Sequence, residues 1–183
     1  MKRIFLLIVF LALAACQPLK RVGFWEDYTD VFDADGRVEN YQIEKGKYFV
    51  IQYLTLDNLR DVLYHTPEGK IDKIIEENPA WEFVFYCDCP VSDSLKLMKL
   101  LERYHCRFAV ILDPESQWPV QHLGCRPHTY LAGGVICDER GKVLGGSVIG
   151  TTQSFFDSEF IRANRELGWR NMKKKRKIPV KPG

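Results

Sequence analysis

Six cysteines stand at positions 16, 87, 89, 106, 125 and 137, and two of them are one residue apart in Cys87-Asp88-Cys89-Pro90. A thiol reacts as its thiolate, and a helix N-terminus favours that form because unpaired N–H groups and the macrodipole stabilise negative charge. Cys89 precedes an amphipathic stretch, so it stands where such a nucleophile would be placed. Cys87 is the first candidate to resolve a mixed disulfide formed on Cys89. A Cys-x-Cys disulfide closes a small strained ring, readily reduced and comparatively oxidising, which suits an isomerase or an oxidase better than a strong reductant. Asp88, between the thiols, tends to raise a neighbouring thiol pKa. Cys106 and Cys137 lie beside or within apolar runs and read as small core residues.

Other chemistry is poorly supported. His105, His122 and His128 add soft ligands to the cysteines, but the paired Cys-x-x-Cys or His spacing of structural zinc is missing. Neither a metal nor a cofactor is expected. The chain has no Gly-rich phosphate loop, no Gly-x-Ser-x-Gly turn and no paired-carboxylate signature.

The elements that must position the thiols follow from the apolar pattern. Residues 47–54 are rich in β-formers and read as a strand. Thr55 caps a short helix whose apolar face is Leu56, Leu59, Val62 and Leu63. Thr66-Pro67-Glu68 opens a second helix with Ile71, Ile74 and Ile75 on one side, stopped by Asn78-Pro79. Residues 81–86 form a buried strand that runs into the Cys87 segment. An amphipathic helix is expected over 92–104, with Leu95, Met98, Leu101 and Tyr104 facing inward. A strand over 108–112 and an irregular stretch over 115–127, holding at most one helical turn, come next. Strands over 129–137 and 143–149 are joined by the turn Asp138-Glu139-Arg140-Gly141, and Phe156, Phe160, Ala163 and Leu167 mark a last helix. The Gly133-Gly134 and Gly145-Gly146 pairs suggest bulges or close backbone approach.

Two apolar strands joined by one short helix imply a parallel pair with a right-handed crossover, to which the hairpin adds an antiparallel edge. This mixed α/β arrangement over residues 80–168 resembles the thioredoxin-like superfamily, especially membrane-anchored redoxins. Three features carry the resemblance: Phe85-Tyr86 giving way to Cys89-Pro90 at a helix start, the segment Arg126-Pro127-His128-Thr129-Tyr130-Leu131, and the turn Asp138-Glu139-Arg140-Gly141-Lys142-Val143. The resemblance implies a sheet flanked by helices, a nucleophile at Cys89, and a substrate-positioning proline, cis in that family, at Pro127. It also brings Cys125 near Cys89 as the second candidate resolver. The chain departs from the family pattern at Ser92, which stands where Cys-x-x-Cys requires the second thiol. A hydroxyl can hydrogen-bond a thiolate but cannot close a disulfide, which leaves monothiol exchange or peroxide reduction resolved elsewhere.

The chain ends differ from this body. Met1-Lys2-Arg3, the apolar run over residues 4–13 and the small pair Ala14-Ala15 have the layout of a secretory signal, too short to span a bilayer. Leu13-Ala14-Ala15-Cys16 resembles the lipobox of bacterial lipoproteins. That resemblance implies cleavage before Cys16 and acylation of its thiol and new amino terminus with chains such as palmitate, enough for stable anchoring. Residues 170–183 hold seven bases and no acid, whereas residues 16–169 hold 17 bases and 24 acids. The formal net charge of +2 over 183 residues is therefore a poor guide, and nucleic-acid binding is not expected. With 46% hydrophobic residues the chain is an ordinary folded one, not a disordered one.

The expected organisation is a signal over 1–15, a lead-in from the lipid over 16–45, a thioredoxin-like domain over 46–168 and a basic tail over 169–183. The lead-in includes an Asp35-Gly36 turn and one short strand. The expected protein is lipid-anchored in the bacterial cell envelope, with a membrane and protein thiols or disulfides as partners. Its basic tail would touch anionic lipid. Two functions follow: a thiol–disulfide oxidoreductase or isomerase, and a redox-inactive binding or scaffold lipoprotein of the same fold.

Overall fold

Two apolar runs rich in aromatic and β-branched residues make the centre of the sheet, β2 (Tyr48–Thr55) and β3 (Trp81–Asp88). They pair in parallel over their full length, from Tyr48 opposite Trp81 to Thr55 opposite Asp88. The structure is a computed structural model describing residues 21–24, 28–124 and 133–146. Around the central pair lie β1 (Val31–Phe32), β4 (Val110–Leu112), β5 (Gly133–Cys137) and β6 (Val143–Gly146), in the order β1-β4-β3-β2-β5-β6. β3 and β4 are also parallel, while β1, β5 and β6 join antiparallel. Among the described residues the α-helices are α1 (Leu56–His65), α2 (Lys70–Glu77), α3 (Ser94–Arg103) and α4 (Gln117–Leu123). The expected mixed α/β sheet flanked by helices is what forms.

Side-chain alternation along β3 divides the interior in two. Trp81, Phe83, Phe85, Cys87 and then Cys89 face one core, with Leu59 and Val62 of α1, Ile71 of α2, and Leu97 and Leu101 of α3. Val84 and Tyr86 face the other, with Ile51, Ile111, Trp118 and Tyr28. Because a packed core lies against each face of β3, its sequence is nearly all apolar.

Several local expectations are met. Thr55 caps α1 through a reciprocal box, its hydroxyl accepting from Asn58 N–H at 3.1 Å while Asn58 Oδ1 accepts from Thr55 N–H at 3.2 Å. The Asp138 turn joins β5 to β6, its carboxylate accepting from the N–H groups of Arg140 and Lys142. Gly133 meets Tyr53 so closely that an added Cβ would lie 2.1 Å from the ring, and the β5–β6 register shifts at Ile136 and Cys137.

Others are corrected. α2 begins at Lys70 after a left-handed Gly69, with no side-chain cap, because Pro67 and its neighbours form a separate turn closed by Lys70 N–H on Pro67 C=O. α3 buries Leu97 and Leu101, leaving Leu95 57% exposed. Leu97 and Leu101 have helical spacing as good as the expected stripe, and the position of the sheet decides between them. The stretch expected to be irregular holds the two-turn helix α4. The last expected helix and the basic tail lie outside the described residues, as do the signal segment and Cys16.

Candidate functional site

β3 runs two residues further than its apolar pattern suggests, so Cys87 lies inside the strand and not after it. There it pairs with Leu54 on one side and Leu112 on the other. Its carbonyl accepts the Asp113 N–H at 2.8 Å. Cys89 lies one residue beyond the last paired position. Pro90 has no N–H to continue the ladder and ends the strand. The two-residue spacing therefore puts both thiols on one face at the edge of the α1–α3 core, where both are free and buried.

The thiols differ in acidity. The Cys87–Cys89 hydrogen bond lowers the Cys89 pKa, against burial and the charges of Asp93 and Asp88, with help from Lys96. The same bond, joined by burial and the negative groups around it, pushes the Cys87 thiol well up. The thiolate is thus favoured on Cys89 and disfavoured on Cys87. As a thiol, Cys89 also lies 3.5 Å from Pro90 C=O as donor. The helix contributes less than its place in the sequence implies. A 3-10 turn, Val91–Asp93, intervenes before α3 starts at Ser94, so Cys89 is not at the α3 N-terminus.

Asp88 leaves the opposite side of the strand and reaches the connection between β4 and α4. Its Oδ1 accepts from Glu115 N–H at 2.9 Å and its Oδ2 from the Ser116 hydroxyl at 2.6 Å. Glu115 and Ser116 both have left-handed backbone, with φ of 65° and 53°. Next to them Asp113 is buried and accepts from the N–H groups of Gln117 and Trp118 at 3.0 and 2.9 Å. Burial outweighs these two bonds and pushes the Asp113 carboxyl up to about 6. Trp118 stacks on Tyr86 with ring centroids 4.7 Å apart, and the Tyr86 and Tyr28 hydroxyls are 2.9 Å apart.

Asp113, Ser116 and Trp118 were not singled out in the sequence. Asp113-Pro114 marks the end of a strand, but only the β3–β4 pairing brings it beside Cys87. Cys106 and Cys137 are buried, and burial pushes each thiol up to about 12, leaving both far from reactive. Cys125, Pro127 and His128 lie outside the described residues. Among the described residues no group of three or more His, Cys, Asp or Glu could hold a metal ion. In the segment after Cys89, Val91 and Leu95 are exposed large hydrophobic residues, set among the charged Asp93 and Lys96.

No protein-family model matches the chain, and no curated protein matches its sequence. Solved structures resemble it. One is a candidate thiol:disulfide interchange protein DsbE from Chlorobium tepidum, 14% identical with a TM-score of 0.55, covering 80% of this chain and 96% of that one. A second is the mitochondrial 2-Cys peroxiredoxin of Plasmodium falciparum, at 15% identity and a TM-score of 0.56, covering 91% and 100%. A third is a SCO1/SenC family lipoprotein from Bacillus anthracis str. Ames, at 14% and 0.55, covering 84% and 98%. Likeness at these identities is likeness of fold, and the fold is thioredoxin-like.

Proposed function

We propose that this thioredoxin-like chain is a thiol–disulfide oxidoreductase or isomerase of the bacterial cell envelope, with Cys89 as nucleophile and Cys87 as resolving thiol. The observation that carries the reading is the pair of free thiols that the end of β3 sets two residues apart on one face. The Cys89 thiolate attacks one sulfur of a substrate disulfide and expels the other as a thiolate. Cys87 then loses its proton and attacks Cys89 Sγ, releasing the substrate's second thiol. Two enzyme thiols are oxidised to one disulfide, and one substrate disulfide is reduced to two thiols. Run backwards, the sequence oxidises a substrate. The exposed Val91 and Leu95, in the segment that follows Cys89, offer apolar surface to a polypeptide substrate. Pro127 as the positioning proline and Cys125 as an alternative resolver remain part of the proposal, on the sequence resemblance.

Anchoring through acylated Cys16 is proposed on the lipobox-like motif. Among the described residues no helix is long and apolar enough to cross a membrane. The basic tail over 169–183 would then lie against anionic lipid. Palmitate labelling should mark the wild type and not Cys16→Ser.

The enzymatic test uses the full-length protein in detergent. Cys89→Ser should abolish insulin reduction and isomerase activity, and Cys87→Ser should accumulate mixed disulfides on Cys89. Unchanged activity in Cys89→Ser would defeat the proposal. A second reading, a redox-inactive scaffold, is favoured by one observation: the Cys89 residue is only 1% exposed. Mixed disulfides trapped specifically at Cys89 by crosslinking in envelopes would count against it.

A further inference from the structure

The residue between the two thiols is bound to a different part of the molecule, and the geometry of a disulfide makes that binding consequential. In an extended strand, side chains two residues apart stand parallel on one face, so their Cβ atoms keep about the 6.6 Å separation of their Cα atoms. A disulfide draws its two Cβ atoms to about 3.5–4.5 Å. Closing a Cys87–Cys89 bond therefore requires the chain between them to fold inward. Cys87 is poorly placed to supply that movement, since it is paired on both sides and its carbonyl holds the Asp113 N–H. The movement falls on Asp88 and Cys89.

Asp88 resists it. Its carboxylate is fastened to Glu115 N–H and to the Ser116 hydroxyl, and Ser116 is 1% exposed. These bonds hold a turn in which two successive non-glycine residues are left-handed, a conformation that costs each of them energy. The fastening and the wound turn are thus two ends of one device.

We infer that Asp88 is a positioning residue that holds Cys87-Asp88-Cys89 in its dithiol form through Ser116 and Glu115, and so makes the pair more oxidising. Closing the disulfide pulls Asp88 from Ser116 and lets the Pro114–Ser116 turn unwind. This rests on the proposal that Cys87 and Cys89 exchange with substrate disulfides. The oxidant is a disulfide, here glutathione disulfide. Cys89 thiolate attacks it and expels one glutathione thiolate, then Cys87 attacks Cys89 Sγ and expels the second. The proton from Cys87 and the one already released by Cys89 end on the two glutathione thiols.

The test equilibrates the full-length protein in detergent with glutathione buffers and reads the Cys87–Cys89 disulfide by alkylation and peptide mass. Ser116→Ala removes the 2.6 Å bond without altering charge. It should favour the disulfide about tenfold, a midpoint about 30 mV more negative. Ser116→Gly, which suits left-handed backbone and keeps the turn if the alanine variant folds poorly, should shift it the same way. Asp88→Asn keeps an oxygen for Glu115 N–H and an amide for the Ser116 hydroxyl but removes the charge. Cys89 should ionise at lower pH in that variant, and the midpoint should not become more negative.

An unchanged or less negative midpoint in both Ser116 variants overturns the inference. So does a negative shift in Asp88→Asn equal to theirs, which would assign the effect to charge. If the wild type forms no Cys87–Cys89 disulfide in any buffer, the thiol-pair reading itself fails, an outcome distinct from an unmoved midpoint.

Discussion

Asp113 offers the sharpest test of the electrostatics beneath the thiols. Its carboxyl is buried, and burial raises its pKa from an ordinary 3.8 to about 6 despite two backbone N–H bonds. The folded value lies above the unfolded one, so the stability it confers is fully present below about pH 3.8. That stability is lost as pH rises through 6. At about 1.36 kcal/mol per pH unit the whole effect is about 3 kcal/mol. About 2 kcal/mol of it falls between pH 4.5 and 7.5. Asp113→Asn is neutral at every pH and stands in for the protonated acid, so subtracting its stability from that of the wild type cancels the other titrating groups. Urea unfolding of both proteins, followed by far-UV circular dichroism, should show the wild-type advantage falling by about 2 kcal/mol from pH 4.5 to 7.5. A difference that stays constant, or grows with pH, would mean that the N–H bonds of Gln117 and Trp118 outweigh burial, and the reasoning would be wrong.

Two further outcomes are expected. With iodoacetamide at pH 8, Cys89 should be labelled before Cys106 or Cys137, whose thiols are pushed up to about 12; peptide mass spectrometry reads the order, and early labelling of Cys106 would contradict its buried, inert role. Gly133→Ala would drive a methyl into the Tyr53 ring, 2.1 Å from Cε2, and should cost about 1–3 kcal/mol of stability in urea unfolding. The double variant with Tyr53→Ala should recover part of that loss relative to Tyr53→Ala alone, and no coupling would mean the contact is not the cause.

What could be read in advance depended on how local its cause was. The central strands were legible because burial on both faces leaves an almost unbroken apolar run, and Thr55 and the Asp138 turn because their partners lie within four residues. α4 was hidden because its first N–H groups are satisfied by Asp113, four and five residues upstream across the Pro114–Ser116 turn. Leu95 was misplaced because two apolar stripes overlap on α3 and only the sheet selects one. At the site the thiols themselves were visible, as was the adverse charge of Asp88. The fastening of Asp88 to Ser116 was not, since it spans 28 residues and exists only once β3 and β4 lie side by side.

The spacing of the two cysteines matches the period of the element that carries them. In a helix, residues two apart diverge, whereas in β3 they share a face with Trp81, Phe83 and Phe85. The thiols and the aromatic core are therefore in one reading frame. Deleting Glu82 would turn the pair toward Trp118 and, in the same stroke, turn Phe83 and Phe85 away from α1 and α3. In this chain the thiol pair cannot be re-aimed by length changes in the strand without losing the fold, so variation in its chemistry is confined to substitution at positions such as 88 and 116.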